Sequence, residues 1–461
     1  MLEPEIVAQA LRDALSTGGR FAELFAEVRS TTSIRLDDGK IEEVVSGGDR
    51  GASIRVFHGT SQAYAYSNRL EPESLREAAR AAAGAVVGGS NAAVGIDLRR
   101  GQVHSHDVAR PAEDVSRQEK VRWLRQADDA ARALDPAVRQ ALVSYFDTQQ
   151  RVLIANSEGL WTEEDRPRLR LFVQVVAARD GVVQTGFSGP AGFGGAELFD
   201  RFPPAETAER AAGQAVAMLG GRPAPAGEMP VVLAPGGGGI LFHEACGHGL
   251  EADHIVKGTS VFRDRKGEPI ASPLLTGVDD GTVEGAWGSF AVDDEGTPSE
   301  RTVLFDRGEL VGFLYDRFRA EQDGVASTGS GRRQSYAHLP IPRMRNSYIL
   351  NGGDRAEDIV AGTARGLYAK NLGGGQVNPA TGDFVFGVSE GYLIEDGRIT
   401  SPVRGANLIG NGPTILAAID AVADDFDVRD GVCGKEGQSA PVSNGSPTLR
   451  IARMTVGGTD A

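Results

Sequence analysis

Glycine cuts most of this sequence into short pieces. It supplies 61 of the 461 residues, nearly twice its usual share, and long helical periods survive only between its clusters. Residues 5–15 read as a helix stopped by Gly18-Gly19. Leu24, Ala26 and Val28 then alternate with polar neighbours, as do Ile34 with Leu36 and Ile54 with Val56. With turns at Asp38-Gly39 and Gly47-Gly48, residues 22–67 read as a run of strands. Glu71 to Ala85 reads as helix, and 88–111 as a weakly patterned linker.

A second block begins near Val115. Val121, Leu124, Ala127, Ala131 and Leu134 share a helical face. Strand-like runs follow at 141–147, 151–157 and 169–177, then an Ala-rich helix from Glu206 to Leu219. Residues 220–230, GGRPAPAGEMP, form a breaker-rich connector. Beyond it the chain is rich in Gly, Pro and short apolar runs, which predicts strands. A chain this long exceeds one ordinary core. The expectation is an α+β protein in three parts: an N-terminal α+β domain (1–90), a central α+β domain (112–222) and a strand-rich C-terminal domain (228–461) that carries a short histidine helix.

Net charge is −15, with 48 Lys and Arg against 63 Asp and Glu. That balance speaks against direct nucleic-acid binding, which needs clustered positive charge. No run approaches the roughly 20 apolar residues of a membrane span, so no membrane partner is expected. The acidic N-terminus MLEPEIVAQALRDAL lacks the features of a signal peptide. Two cysteines, Cys246 and Cys433, make no disulfide framework and suit a reducing cytoplasm.

The chemistry-bearing run is HEACGHGLEAD, residues 243–253. A zinc helix usually carries H-E-x-x-H, with its histidines one turn apart; here they are five apart. Residues of a straight helix advance by about 100° each, which puts Cys246 near −60° from His243 and His248 near +140°. Both histidines reach one metal only if the backbone deviates, through a π-type bulge or a helix end at Gly247, where glycine costs least. The plainer alternative is that one histidine fills a core and the other is exposed. Glu244 follows the first histidine, where a general base belongs in helix-borne zinc hydrolases. The strand MPVVLAP leads through Gly236–Gly239 into the motif. This is no phosphate loop, since no Lys-Ser or Lys-Thr follows and Leu241 occupies the last glycine position of G-x-G-x-x-G.

A catalytic zinc takes three protein ligands and one open position. Candidates for the third are Cys246, Glu251, Asp253 and His254 nearby, and Cys433 far away in a Gly-bounded turn, DGVCGKEGQSAPV. Thiolate suits zinc. His58, His104, His106 and His338 have no such context and read as structural or exposed.

At these residues the chain resembles the TldD/PmbA metallopeptidase family, in its TldD-like catalytic branch. The resemblance rests on HEACGHGLEAD (243–253), TGSGRRQSYAHLPIPRMRN (328–346), GDFVFGVSEGYLIEDG (382–397) and GVCGKEGQSAPV (431–442), and it spans essentially the whole chain. It implies Zn²⁺ bound by His243, His248 and Cys433, Glu244 as catalytic base, and Cys246 at a variable position. It further implies a dimer, commonly with a PmbA/TldE-like subunit lacking the metal motif, although a homodimer fits too, and unfolded or short peptides as substrates. Two other functions fit the same residues: an amide hydrolase acting on a small peptide-like metabolite, and a non-catalytic binding subunit with a structural zinc.

Overall fold

The computed structural model describes residues 1–86, 95–99 and 101–458. The strands expected in the first two blocks form one continuous sheet. Its order is Ser61–Ser67, Lys40–His58, Phe21–Asp37, Val138–Asn156, Trp161–Arg179, Val103–His104, with Val182–Ser188 and Ala191–Phe193 also on Trp161–Arg179. The 141–147 and 151–157 runs, read as two strands, are one. Phe21–Asp37 pairs antiparallel with it from Glu23↔Asn156 to Asp37↔Leu142. Part of the expected linker, residues 88–94 and 100, lies outside the described residues; Val103–His104 within it is a strand.

Helices Pro4–Ala14 and Pro72–Gly84 bury Leu11, Ala79 and Ala82 against Leu24, Ile54 and Leu153. Helices Arg117–Leu134 and Pro204–Leu219 cover Val143, Leu171 and Val173. Period-2 alternation would put Glu23 and Glu27 in solvent, yet both are buried. The third part of the chain covers that face. Arg333 reaches Glu23 at 2.7 Å, and Arg55 bridges Glu23 at 2.8 Å and Glu295 at 2.5 Å. Arg166 joins Glu164 at 2.9 Å and Asp294 at 2.5 Å.

The third part is strand-rich as expected. Arg365–Val377, Gly227–Leu233, Leu449–Gly457, Asn407–Asn411 and Asp383–Glu395 pair in that order, and the last pairs with the first. That closes a barrel. A second sheet runs Glu309–Leu310, Arg301–Asp306, Gly277–Asp280, Asn346–Ile349, Gln438–Ser446, Asp427–Lys435. Between barrel and sheet lies the segment Gly237–Leu250, with Leu241, Phe242, Ala245 and Cys246 in the shared core. The proposed site is therefore set by what holds this segment.

Candidate metal centre

Gly227–Leu233 ends in a tight turn at Gly236, whose φ of 82° is left-handed, and helix Gly237–Phe242 follows. The glycines serve close packing. A Cβ on Gly239 would stand 2.3 Å from the Gly445 nitrogen, and one on Gly238 would stand 2.4 Å from Leu449 Cδ2. The next turn, His243–Gly247, is π-helical. The His248 N–H donates to the His243 carbonyl, five residues back, so the widened turn returns His248 to the side of His243. Their rings stand 5.1 Å apart, nearly perpendicular. Gly247 has ordinary helical dihedrals (φ −51°, ψ −51°), so it is not needed for conformational freedom. It is needed for space, because a Cβ there would lie 2.1 Å from Met344 Sδ.

Cys433 arrives from the other element. It is not in a turn, as the sequence suggested, but on the edge strand Asp427–Lys435, opposite Ala440. The turn is Glu436-Gly437, with φ of 48° and 74°, the two positive values that a tight hairpin requires. Arg343, fully buried, donates to the Cys433 carbonyl at 2.6 Å and fixes the strand in place. Cys433 Sγ lies 3.3 Å from His243 Nε2 and 3.4 Å from His248 Nε2. A tetrahedral cation with nitrogen at about 2.0–2.1 Å and sulfur at about 2.3 Å would separate them by about 3.6 Å. Two imidazoles and a thiolate are also a set that zinc favours. The three residues fit a resident metal.

Charge in the cluster points the same way. Burial would raise the Cys433 thiol, but the two imidazoles beside it bring it down to about 4. Burial would lower both histidines, yet His243 is raised by Cys433 and His248 well raised by Glu251 and Cys433. Sequence reasoning placed Glu251 among candidate ligands. Instead its Oε2 lies 3.0 Å from His248 Nδ1, the nitrogen facing away from the cluster. Lys435 reaches Glu251 at 2.9 Å, and the Met344 N–H donates to its other oxygen at 3.3 Å. Its spacing, three residues after His248, was the available signal. Asp253 is held by Lys435 at 2.6 Å, so the nearby group Glu251, Asp253 and His254 already contains a cation. Cys246 points away, donating to the Phe242 carbonyl at 2.9 Å, and burial pushes its thiol well up.

Glu244 is the one member left partly open, its side chain 28% exposed and 3.8 Å from His248 Nε2. It borders a groove of about 530 Å³ with His248, Cys433, Gly375–Val377 and Val432–Gly434.

Three family models match in order: PmbA/TldA metallopeptidase domain 1 at residues 22–86, its central domain at 110–219 and its C-terminal domain at 226–458. The chain belongs to the TldD/PmbA metallopeptidase family. It is 40% identical to a Haemophilus influenzae protein named metalloprotease TldD homolog, over 95% of this chain and 93% of that one. It is 35% identical to a metalloprotease of Methanothermobacter thermautotrophicus, over 95% and 96%. The fold matches TldE from Thermococcus kodakarensis with a TM-score of 0.77 at 21% identity, covering 98% of this chain and all of that one. Family and relatives' names indicate a metalloprotease of the TldD/PmbA type and imply a metal ion.

Elsewhere in this TldD/PmbA chain, three of the other histidines are engaged locally. His106 pairs with Glu164 at 3.0 Å, His338 with Ser335 at 2.8 Å, and His58 with the Gly18 carbonyl at 3.3 Å; His104 sits in the short strand Val103–His104. Among the described residues no helix is long and apolar enough to cross a membrane.

Proposed function

We propose that this chain is a zinc-dependent peptidase of unfolded or short peptides, with His243, His248 and Cys433 as the metal ligands and Glu244 as the general base. The observation that carries this reading is the position of Glu244, partly exposed beside the converging donors and facing the groove. A purely structural zinc has no use for a carboxylate there, which disfavours the non-catalytic subunit. Zinc, when bound, would polarise the scissile carbonyl and acidify water. Glu244 takes the proton of the attacking water and delivers it to the leaving amine. Glu251 holds His248 through its far nitrogen, which orients the ring.

The groove suits an extended chain. On one wall Gly375–Val377 have Phe384–Phe386 as strand neighbours, and on the other Val432–Gly434 have Ser439–Pro441. Each wall has one strand partner among the described residues, so a peptide laid between them gains backbone hydrogen bonds with little sequence preference. The partner in this reading is a TldE-like subunit, as the family resemblance implies. The test is mass spectrometry of an unstructured peptide library incubated with the zinc-loaded chain, with and without that partner. Cleavage that Glu244→Gln abolishes supports the reading. Turnover of dipeptide-like amides alone would turn it towards a small-molecule amide hydrolase, and no turnover with tightly held zinc would turn it towards the binding subunit.

A further inference from the structure

Five arginines gather at a pocket of about 170 Å³ between the first sheet and the third part: Arg29, Arg166, Arg168, Arg332 and Arg333. Three have acidic partners. Arg166 holds Glu164 and Asp294, Arg333 holds Glu23, and Arg29 reaches Asp49 at 3.6 Å. Among the described residues the other two make no ion pair, although Asp294, already held by Arg166, acts on both from a distance. Arg168 donates to the Trp287 carbonyl at 3.2 Å and the Ser289 carbonyl at 2.9 Å. Arg332 donates to the Met344 and Pro441 carbonyls. Both are buried, Arg168 over the Phe193 ring and Arg332 over Phe290.

Buried charges are ordinarily paired. These two instead sit among other arginines at one pocket. Burial and neighbouring Arg166 push Arg168 down to about 10; burial, Arg168 and Arg343 push Arg332 down to about 9. An anion in the pocket would relieve both, and planar guanidinium forks match a carboxylate.

We propose that Arg168 and Arg332 form a carboxylate subsite for the peptide substrate, an inference that rests on the peptidase reading above. The pocket is tied to the cleavage groove through Trp287. Its carbonyl accepts from Arg168, while its indole N–H donates to the Gly431 carbonyl at 2.9 Å. Gly431 stands two residues before Cys433 on one strand, about 7 Å at the rise of a strand. Ser439 and Pro441, which line the pocket, also pair with Gly434 and Val432, which line the groove, so pocket and groove flank one pair of strands about 4.8 Å apart, and a carboxylate a few residues from the scissile bond is within reach. It comes either from the peptide's C-terminus or from an Asp or Glu side chain.

The test uses three peptides of one sequence: a free acid, its C-terminal amide, and the amide with Glu placed two residues from the scissile bond. Initial rates are measured with the zinc-loaded full chain and its partner. Affinities are measured by fluorescence polarisation on Glu244→Gln, where no turnover is needed. The acid should exceed the amide at least about tenfold in kcat/KM and in affinity, in line with a charged hydrogen-bonded pair. Recovery by the Glu peptide assigns the anion to a side chain; its absence assigns it to the C-terminus. Arg168→Gln and Arg332→Gln should bring the acid-to-amide ratio near one. If either variant fails to fold, the wild-type ratio still decides. Equal affinities of the three peptides would overturn the subsite whether or not any is cut. Absence of cleavage alongside a clear acid preference would instead count against the peptidase reading.

Discussion

Cys433 and Cys246 are both buried thiols, and their neighbours give them opposite chemistry. Two imidazoles hold Cys433 down to about 4, while Cys246 faces a carbonyl in an apolar core and is pushed up. A lowered pKa means thiolate above that value, so at pH 6 the chelator-treated protein should be alkylated at Cys433 and not at Cys246. Peptide mapping reads this directly, and added zinc should protect. In the same terms, Cys433→Ala should lose most of the zinc by elemental analysis and Cys246→Ala should not. The reverse would overturn the ligand assignment. Glu244→Gln should keep zinc and lose roughly 10²–10⁴-fold in turnover. Glu251→Gln should cost roughly 10- to 100-fold in zinc affinity, because it removes the charge that orients His248; an unchanged affinity in a competition titration would deny Glu251 that role.

At the level of elements, one π-turn, His243–Gly247, decides how the two histidines face each other. It is possible because its last residue, Gly247, has no side chain and Met344 fills the space. Gly247→Ala should therefore act by overpacking, at about 1–3 kcal/mol, and displace His248. Trimming the neighbour, as Gly247→Ala with Met344→Ala, should restore zinc binding more than either change alone predicts. Strict additivity in unfolding and zinc titrations would refute this coupling. The five-residue spacing of the histidines made a backbone deviation legible, and the resemblance named Cys433. The reason for Gly247 was not legible, since it depends on a methionine 97 residues away. Nor was the strand beneath Cys433, because its glycines look like a turn when hairpin pairing is unseen.

Across the whole molecule, the first sheet is joined to the third part by buried ion pairs. Asp316 sits there, capping the helix Arg317–Asp323 through the Arg319 N–H at 2.8 Å. Burial and Glu295 push its carboxyl up to about 8. A raised folded pKa contributes stability that is full below the ordinary value near 4 and lost as pH rises to about 8. Asp316→Asn keeps a capping oxygen and lacks that titration. Its unfolding midpoint should gain on the parent steadily from pH 4 to pH 8; a constant difference would remove Asp316 from the account. The dimeric enzyme of unfolded peptides expected from the family resemblance has its own test. A globular protein in native form should survive incubation that degrades its reduced, unfolded form, with activity following the dimer in sedimentation.

Periodicity, turn residues and motif order were local properties, and by themselves they determined the α+β class and the strand-rich C-terminal part and pointed to HEACGH as the place to look for chemistry. The tertiary structure decided what local pattern cannot encode. Glu23 and Glu27 read as solvent-facing until a second layer covers them. Phe21–Asp37 pairs with a strand more than a hundred residues away, merging two expected blocks into one sheet. Glu251, Lys435 and Arg343 matter through partners set by packing. Alternation tells a residue which face it occupies; only the folded chain tells it what lies across that face.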